Sequence, residues 1–331
     1  MSEILNGAYV DMNLPPIGLH AGSVLRRGYY VGNIHLESVV GDSGGSAIVY
    51  RGYDRSMRRR EPRALKVART TDPEQLATEI EMHVAVSGKS ENILLLLDHG
   101  VGRLPNGTDR QFMHLEYAPD GSVADQLSRQ GGLPAEQAIR YAEQTASGLH
   151  VVHQEGMVHG DVKPANALRN EAVIKLADFG TARRTRTSDV ISGSPLYMAP
   201  EQANQRALID PRTDVRGLAV MTFEMLQGFP LFDRSTSAKQ QLELLVDDRE
   251  YDSFVRETVH KLGEIGYGAF ETPIRQAVSR NMDDRPADPR AFAADLRNRL
   301  RDINDDVKDH PTTVFVSTKN VSQPELVATR A

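Results

Sequence analysis

The chain has 331 residues, 40% hydrophobic and 25% charged, the balance of a soluble globular protein with room for two ordinary domains or one bilobal one. Cysteine is absent, which excludes disulfides, thiolate metal sites and a cysteine nucleophile. A net charge of −6 gives no reason to expect nucleic-acid binding, and the longest apolar run, ILLLL at 93–97, falls far short of the ~20 residues that span a bilayer.

Residues 1–33 carry Pro15-Pro16 and several glycines with no sustained period, and read as an irregular extension. The first of them, MSEILNGAYVDMN, lack a basic flank followed by an apolar core, so no secretory signal and a cytoplasmic location are expected. Short β-rich runs follow at 34–40, 46–53, 63–69, 93–99 and 111–117, separated by turn residues. One helix interrupts them, expected from Pro73 to Ser87 with Asp72 as its N-cap. From residue 122 to 303 the pattern is helical. In 134–154, Ile139, Ala142, Ala146 and Leu149 recur at three- and four-residue intervals, with Pro134 opening the helix and Gly156 following it. Further helices are expected at 213–227, 236–246 and 288–303, and the polar residues from 304 read as a mobile tail. The class is α+β.

Short motifs occupy fixed places in this layout. VVGDSGGSAIVYRG at 39–52 is a glycine-rich strand–turn–strand, a form in which backbone N–H groups can approach phosphate oxygens without Cβ interference. ALKV at 64–67 places Lys66 in a strand ahead of a helix that carries Glu79 and Glu81. HGDVKPAN at 159–166 holds Asp161, Lys163 and Asn166, and ADFG at 177–180 sets Asp178 twelve residues after Asn166. GSPLYMAPE fills 193–201. Carboxylate and amide oxygens suit a hard divalent ion, and no histidine cluster suggests zinc.

In this order and spacing the motifs resemble the eukaryotic-type (Hanks-type) serine/threonine protein kinases, in a soluble bacterial form, over roughly residues 34–300. The resemblance implies a bilobal fold: a β-rich N-lobe at 34–118 with one helix and a larger helical C-lobe at 119–303, followed by a flexible tail at 304–331. It implies ATP and Mg2+ as cofactors, with Mn2+ as an alternative ion, and a protein Ser or Thr hydroxyl as acceptor. No nucleic acid or membrane is expected as a partner, and the sequence assigns no oligomeric state.

The same resemblance assigns roles. Gly41 and Gly44 would approach the phosphates, although the loop departs from G-x-G-x-x-G-x-V: aligned on Val49, Gly44 takes the second glycine position, Ala47 the third, and one residue is extra. Lys66 would reach the α- and β-phosphates. Its partner would be Glu79, because Val86 then fills the apolar slot seven places on. Asp161 would accept or orient the acceptor's proton, Lys163 would offset charge on the transferring phosphate, and Asn166 and Asp178 would bind the metal. Val49 and Ala64 would lie above the nucleotide base and Leu168 below it, with Glu116-Tyr117-Ala118 as the hinge and Leu115 gating the back pocket. Glu201 would pair with Arg285 of DDRPAD, Asp214 would brace the catalytic loop, and Leu196 and Tyr197 would lie near the acceptor peptide.

Gly160 departs from the pattern, since these kinases usually carry Arg between the His and Asp. Small-molecule kinases of the aminoglycoside and choline type also begin this loop His-Gly-Asp, but they typically have His where Lys163 stands and lack the A-P-E segment. A catalytically weak pseudokinase scaffold is disfavoured because Lys66, Asp161, Asn166 and Asp178 are all present. Lys163 and Ser194 favour Ser/Thr over Tyr as acceptor. Where Arg precedes the catalytic Asp, an activation-loop phosphate neutralises it. Without that cation, activity is not expected to depend strongly on phosphorylation of Thr181, Thr185, Thr187, Ser188 or Ser192. His83, His150 and His153 read as packed or solvated rather than as ligands.

Overall fold

Strand propensity ends near residue 117 and helical periodicity begins at 122, and the architecture divides at the same place. The computed structural model describes residues 30–309 except 32–33, 43–46, 56, 58–59, 73–75, 104–107, 186–192, 204–207, 233–236 and 247. The first part is an antiparallel sheet of β1 (Tyr30–Val31), β2 (Ile34–Asp42), β3 (Ala47–Asp54), β4 (Pro62–Ala68), β5 (Leu96–Arg103) and β6 (Asp109–Glu116). Its strand order is β1-β2-β3-β4-β6-β5, so the sheet starts inside the stretch read as an irregular extension.

Alternation along a strand sends successive side chains to opposite faces. In β4, Leu65 and Val67 join Ile34, Leu36, Ile48 and Tyr50 in one apolar cluster. Ala64 and Ala68 face the other way, with Met113, Leu115 and Leu94. Lys66 shares that second face, so β4 is buried on both sides and carries one amine into the space between the two parts of the chain.

The helix of this part, α1 (Ala77–Val86), begins later than its sequence suggests, and Pro73 lies outside the described residues. Leu76, not Asp72, precedes its first turn, and no side chain at that position caps it. The orphan N–H of the buried Leu76 donates instead to Gln111 Oε1 from β6 at 2.8 Å, a tertiary cap that no local signal announces. Strand β5 is displaced in the same direction. Ile93 and Leu94 are spent on the junction with the second part, where the Leu94 N–H donates to the Leu176 carbonyl at 2.9 Å.

The second part contains α2 (Val123–Gln130), α3 (Ala135–Gln154), α4 (Pro211–Gln227), α5 (Ala238–Val246), α6 (Asp248–Glu264), α7 (Glu271–Ala277) and α8 (Pro289–Asp309). Between α3 and α4 run four short strands: β7 (Met157–Val158), β8 (Ala167–Asn170), β9 (Val173–Leu176) and β10 (Arg183–Arg184). A capping box closes the start of α2, Ser122 Oγ accepting from the Asp125 N–H and Asp125 Oδ2 accepting from the Ser122 N–H. Helix α4 is the axis, buried at every residue from Thr213 to Leu226. A helix apolar all round belongs inside a core. Yet α4 buries Asp214, Arg216 and Glu224 as well, and each of these needs a polar partner. Among the described residues no helix is long and apolar enough to cross a membrane.

Candidate active site

Lys66 Nζ lies 2.6 and 2.8 Å from the two carboxylate oxygens of Glu79 and 3.1 Å from Asp178 Oδ1. Strand alternation supplies the amine, α1 the first carboxylate and the loop after β9 the second. Glu81, the competing candidate on α1, faces outward and pairs with Arg184 at 3.2 Å. Burial alone would lower the Lys66 pKa; Glu79 and Asp178 outweigh it, and the ammonium is held above its usual range. Burial would likewise raise Asp178, and the Lys66 charge reverses this and lowers it. Asp178 sits at φ +65°, a left-handed conformation that costs a non-glycine residue about 1–2 kcal/mol. Phe179 behind it is fully buried between the rings of His83 and His159, at centroid distances of 4.8 and 5.1 Å.

A second cluster gathers around Asp161. Its Oδ2 accepts from Lys163 Nζ at 2.6 Å and from Asn166 Nδ2 at 3.2 Å, and its Oδ1 accepts from the Ser194 N–H at 2.8 Å. Lys163 Nζ also reaches Ser194 Oγ at 2.6 Å. Asn166 Nδ2 donates to the Asp161 carbonyl at 2.8 Å as well, which holds the loop in a tight turn. The two clusters are joined by main chain, the Ala177 N–H donating to the Asn166 carbonyl at 2.9 Å.

The loop is anchored from below by Asp214, fully enclosed in α4. Its Oδ2 accepts from the His159 N–H and from His153 Nε2, both at 2.8 Å, and its Oδ1 accepts from the Gly160 N–H at 2.8 Å. Burial would raise the Asp214 pKa, but the His153 hydrogen bond, the neighbouring His153 and His159 and the Gly160 amide lower it. Glu201 meets Arg285 in a two-bond fork at 2.7 and 2.9 Å, and Thr213 Oγ1 adds a third bond at 2.9 Å.

The residues expected around a nucleotide base also converge. Ala64 and Leu115 are cross-strand partners, and Val49, Tyr117 and Leu168 pack into the same apolar cluster while only half-buried, each keeping an open side. Ala118 is half-buried beside them. The Glu116 side chain does not enter this space. It accepts from the Leu95 N–H at 2.7 Å and pairs with Lys175 at 2.9 Å, so Glu116 can contribute only main-chain atoms there. Gly41 faces Val49 across β2 and β3, and a Cβ at Gly41 would meet Val49 at an ordinary 3.5 Å, so its backbone makes no demand for glycine. Gly44 lies outside the described residues, as do Thr187, Ser188 and Ser192.

The sequence profile of the protein kinase domain matches residues 34–285. The chain belongs to the protein kinase family. The serine/threonine-protein kinase PknL of Mycobacterium bovis is 31% identical over 265 residues, which are 77% of this chain and 62% of that protein. PksC of Streptomyces coelicolor, named a serine/threonine-protein kinase, is 31% identical over 65% of this chain and 40% of its own length. Drp72 of Corynebacterium efficiens, likewise named, is 39% identical over 45% of this chain and 29% of its own. The chain thus spans about 62% of the length of the PknL relatives it matches.

Within the kinase domain Gly160 acquires a physical reason. Its φ is +77°, and a Cβ there would stand 3.2 Å from the Thr181 carbonyl oxygen. Its own carbonyl accepts from Gln202 Nε2 at 2.7 Å, and the backbone of Gly193 approaches so closely that a Cβ there would fall 2.8 Å from the Gly160 oxygen. Gly160→Ala is therefore expected to lower stability by about 1–2 kcal/mol through the left-handed backbone, read as a fall in the chemical-denaturation midpoint.

Sequence reasoning left several site residues unassigned. His153 braces Asp214, and His159 Nε2 donates to the Ala177 carbonyl at 3.1 Å while its Nδ1 accepts from the Asp161 N–H at 3.3 Å. His83 supports Phe179, with Nε2 at 2.6 Å from the Leu94 carbonyl, and burial lowers its pKa from 6.5 to about 4. Between those values the unfolded chain holds a proton on His83 that the folded chain refuses, so stability rises with pH across that window. His83→Leu should cost about 1–3 kcal/mol at neutral pH by orphaning the Leu94 carbonyl, and should flatten the acid side of the stability profile, measured by urea denaturation at several pH values.

The oxygens present suit a hard cation. Asp178 offers a carboxylate with 37% side-chain exposure, and Asn166 commits its Nδ2 to Asp161, which leaves the amide oxygen as the atom to meet an ion. Among the described residues no group of three or more His, Cys, Asp or Glu forms a metal cage. One carboxylate and one amide match an ion that also binds phosphate oxygens and keeps its own waters.

Proposed function

We propose that this chain is an ATP-dependent protein serine/threonine kinase, with residues 34–303 as its kinase domain. The observation that carries the reading is the Asp161 carboxylate, held between Lys163 Nζ at 2.6 Å and the Ser194 N–H at 2.8 Å, at the head of the GSPLYMAPE segment. Phosphoryl transfer asks the protein for position and charge more than for covalent chemistry. Lys66, fixed by Glu79, grips the α- and β-phosphates. Asn166 and Asp178 would hold Mg2+, or Mn2+ in its place, which when bound would offset charge on the phosphates. Asp161 orients the acceptor hydroxyl and takes its proton, while Lys163 offsets charge on the moving phosphoryl group. The half-buried Val49, Ala118 and Leu168 and the buried Ala64 and Leu115 would enclose the adenine, and the glycine loop, through Gly41 and Gly44, would supply backbone to the phosphates.

The test is incubation of the purified protein with radiolabelled ATP, Mg2+ and casein, followed by phosphoamino-acid analysis. Phosphoserine or phosphothreonine on casein or on the protein itself is the expected result. Label on choline or an aminoglycoside and none on protein makes it a small-molecule kinase, and nucleotide binding without transfer makes it a scaffold.

Transfer is also proposed to proceed without an activation-loop phosphate. Gly160 supplies no cation for a phosphate to neutralise, and its carbonyl is tied to the neutral amide of Gln202, the residue that follows GSPLYMAPE. Replacing Thr181, Thr185, Thr187, Ser188 and Ser192 together with Ala should change the initial rate by less than about tenfold, since no charge-assisted pair is lost. A larger collapse contradicts this.

A further inference from the structure

Arg216 heads the largest fully buried side chains of the structure, with no accessible surface, in the middle of α4. Among the described residues no carboxylate forms an ion pair with it, whereas the other fully enclosed arginine, Arg285, has Glu201. An enclosed guanidinium cannot neutralise itself by losing a proton, so the surrounding dipoles must hold the charge. Nη1 donates to the Tyr197 carbonyl at 3.0 Å and the Met198 carbonyl at 2.6 Å. Nε and Nη2 donate to Tyr251 Oη at 3.3 and 3.2 Å, and that hydroxyl donates onward to the Val278 carbonyl at 2.6 Å. The rings of Phe232 and Tyr251 lie beneath the charge at 5.8 and 5.9 Å.

Both carbonyls on Nη1 belong to the segment that begins at Ser194, the residue touching Asp161 and Lys163, and ends at Glu201, the residue held by Arg285. The segment is therefore pinned at its two ends by side chains already described and in its middle by a lone cation. We propose that Arg216 is a positioning residue for the acceptor peptide. It orients the Tyr197–Met198 main chain against Asp161 and, through Tyr251, links that main chain to α6 and to the end of α7. Because the cation is permanent, this support is independent of phosphorylation. The inference rests on the protein-kinase reading and assigns to it a determinant of peptide binding rather than of ATP binding or chemistry.

Arg216→Met keeps the stem and removes every donor, Arg216→Lys keeps the charge without the fork, and Tyr251→Phe removes one oxygen while leaving both carbonyl bonds in place. With casein as acceptor, Arg216→Met should raise the casein KM by about tenfold or more while the KM for ATP stays within about twofold. Arg216→Lys should recover part of the loss, and Tyr251→Phe should shift the casein KM in the same direction by less. Hydrogen exchange at residues 194–201 should accelerate in Arg216→Met, a readout that needs no substrate. A fall in kcat alone with both KM values unchanged makes Arg216 merely structural and overturns the proposal, as does unchanged exchange in that segment. Should Arg216→Met not fold, an unaltered casein KM in both Arg216→Lys and Tyr251→Phe overturns it equally. Wild-type protein that labels no protein acceptor fails the kinase reading itself, whereas an active wild type with indifferent variants fails only the role of Arg216.

Discussion

Asp161→Asn should lower phosphoryl transfer to casein by about 10²- to 10⁴-fold, the range expected when a positioned proton acceptor is removed. The substitution is nearly isosteric, and an amide oxygen can still accept the Ser194 N–H that now binds Oδ1 at 2.8 Å. What disappears is the negative charge. An amide cannot take the proton of an incoming hydroxyl, and an amide –NH₂ in the Oδ2 position would meet Lys163 Nζ at 2.6 Å, donor against donor. Lys163 would then be drawn toward Ser194 Oγ, already its second partner at 2.6 Å, and away from the transferring group. Nucleotide binding should survive, because Lys66, Glu79 and Asp178 form a separate cluster, joined to Asp161 through main chain and the His159 ring and not through the Asp161 carboxylate. Single-turnover transfer from radiolabelled ATP, set beside the ATP affinity from calorimetry, separates the two. Turnover within about tenfold of wild type would remove Asp161 from the proposed role.

The parts of this site that were legible in the sequence are those where one short segment supplies both the chemistry and its geometry. HGDVKPAN folds back on itself, so Asp161, Lys163 and Asn166 meet because the loop between them is tight. ALKV placed Lys66 in a strand and the resemblance gave its role, and in the structure strand alternation turns it inward. Partners supplied from far along the chain were legible only through resemblance, as with Glu79, Asp214 and Arg285. Where neither applied, the reading slipped. The start of α1 depends on Gln111, a cap 35 residues away, and so looked like Pro73 from local signals. The ILLLL run looked like a strand because apolar runs do, but Ile93 and Leu94 are drawn to Leu176 across the junction. Helices α6 and α7 escaped notice. In α6 the buried apolar residues are Tyr251, Val255, Val259 and Leu262, with Phe254 packed beside them, a thin stripe within a polar segment. Arg216 was invisible for another reason: the one basic residue inside TDVRGLAVMTFEML looks like an ordinary exposed arginine until α4 is known to be buried on every side.

Removing the Arg285 side chain should be the most damaging single change to the fold. Glu201 and Arg285 are both enclosed, at 6% and 0% side-chain exposure, and form a two-bond fork. Arg285→Met leaves the Glu201 carboxylate inside the protein with, among the described residues, only the Thr213 hydroxyl, at 2.9 Å, as a side-chain partner. Breaking one side of such a pair costs about 3–5 kcal/mol, which for a domain of this size lowers Tm by roughly 10 °C. The pH dependence identifies the cause. Burial would raise the Glu201 pKa, but the Arg285 bonds lower it below 4.5 in the folded wild type. That pair therefore contributes its full stability above the unfolded carboxyl value and loses it only as pH falls through the lowered folded value. In Arg285→Met the burial is no longer opposed, Glu201 is expected to titrate above its unfolded value, and acid relieves the variant by neutralising the stranded charge. The gap in Tm between wild type and variant should thus be widest at neutral pH and should narrow as pH is lowered toward 5. The double variant Glu201→Leu with Arg285→Met should regain a large part of the loss, because an apolar pair of similar volume can replace a buried ion pair at little cost. A gap independent of pH, with no recovery in the double variant, would trace the damage to lost packing and to the main-chain bonds of Arg285 at Ser279 and Arg280 rather than to the stranded carboxylate.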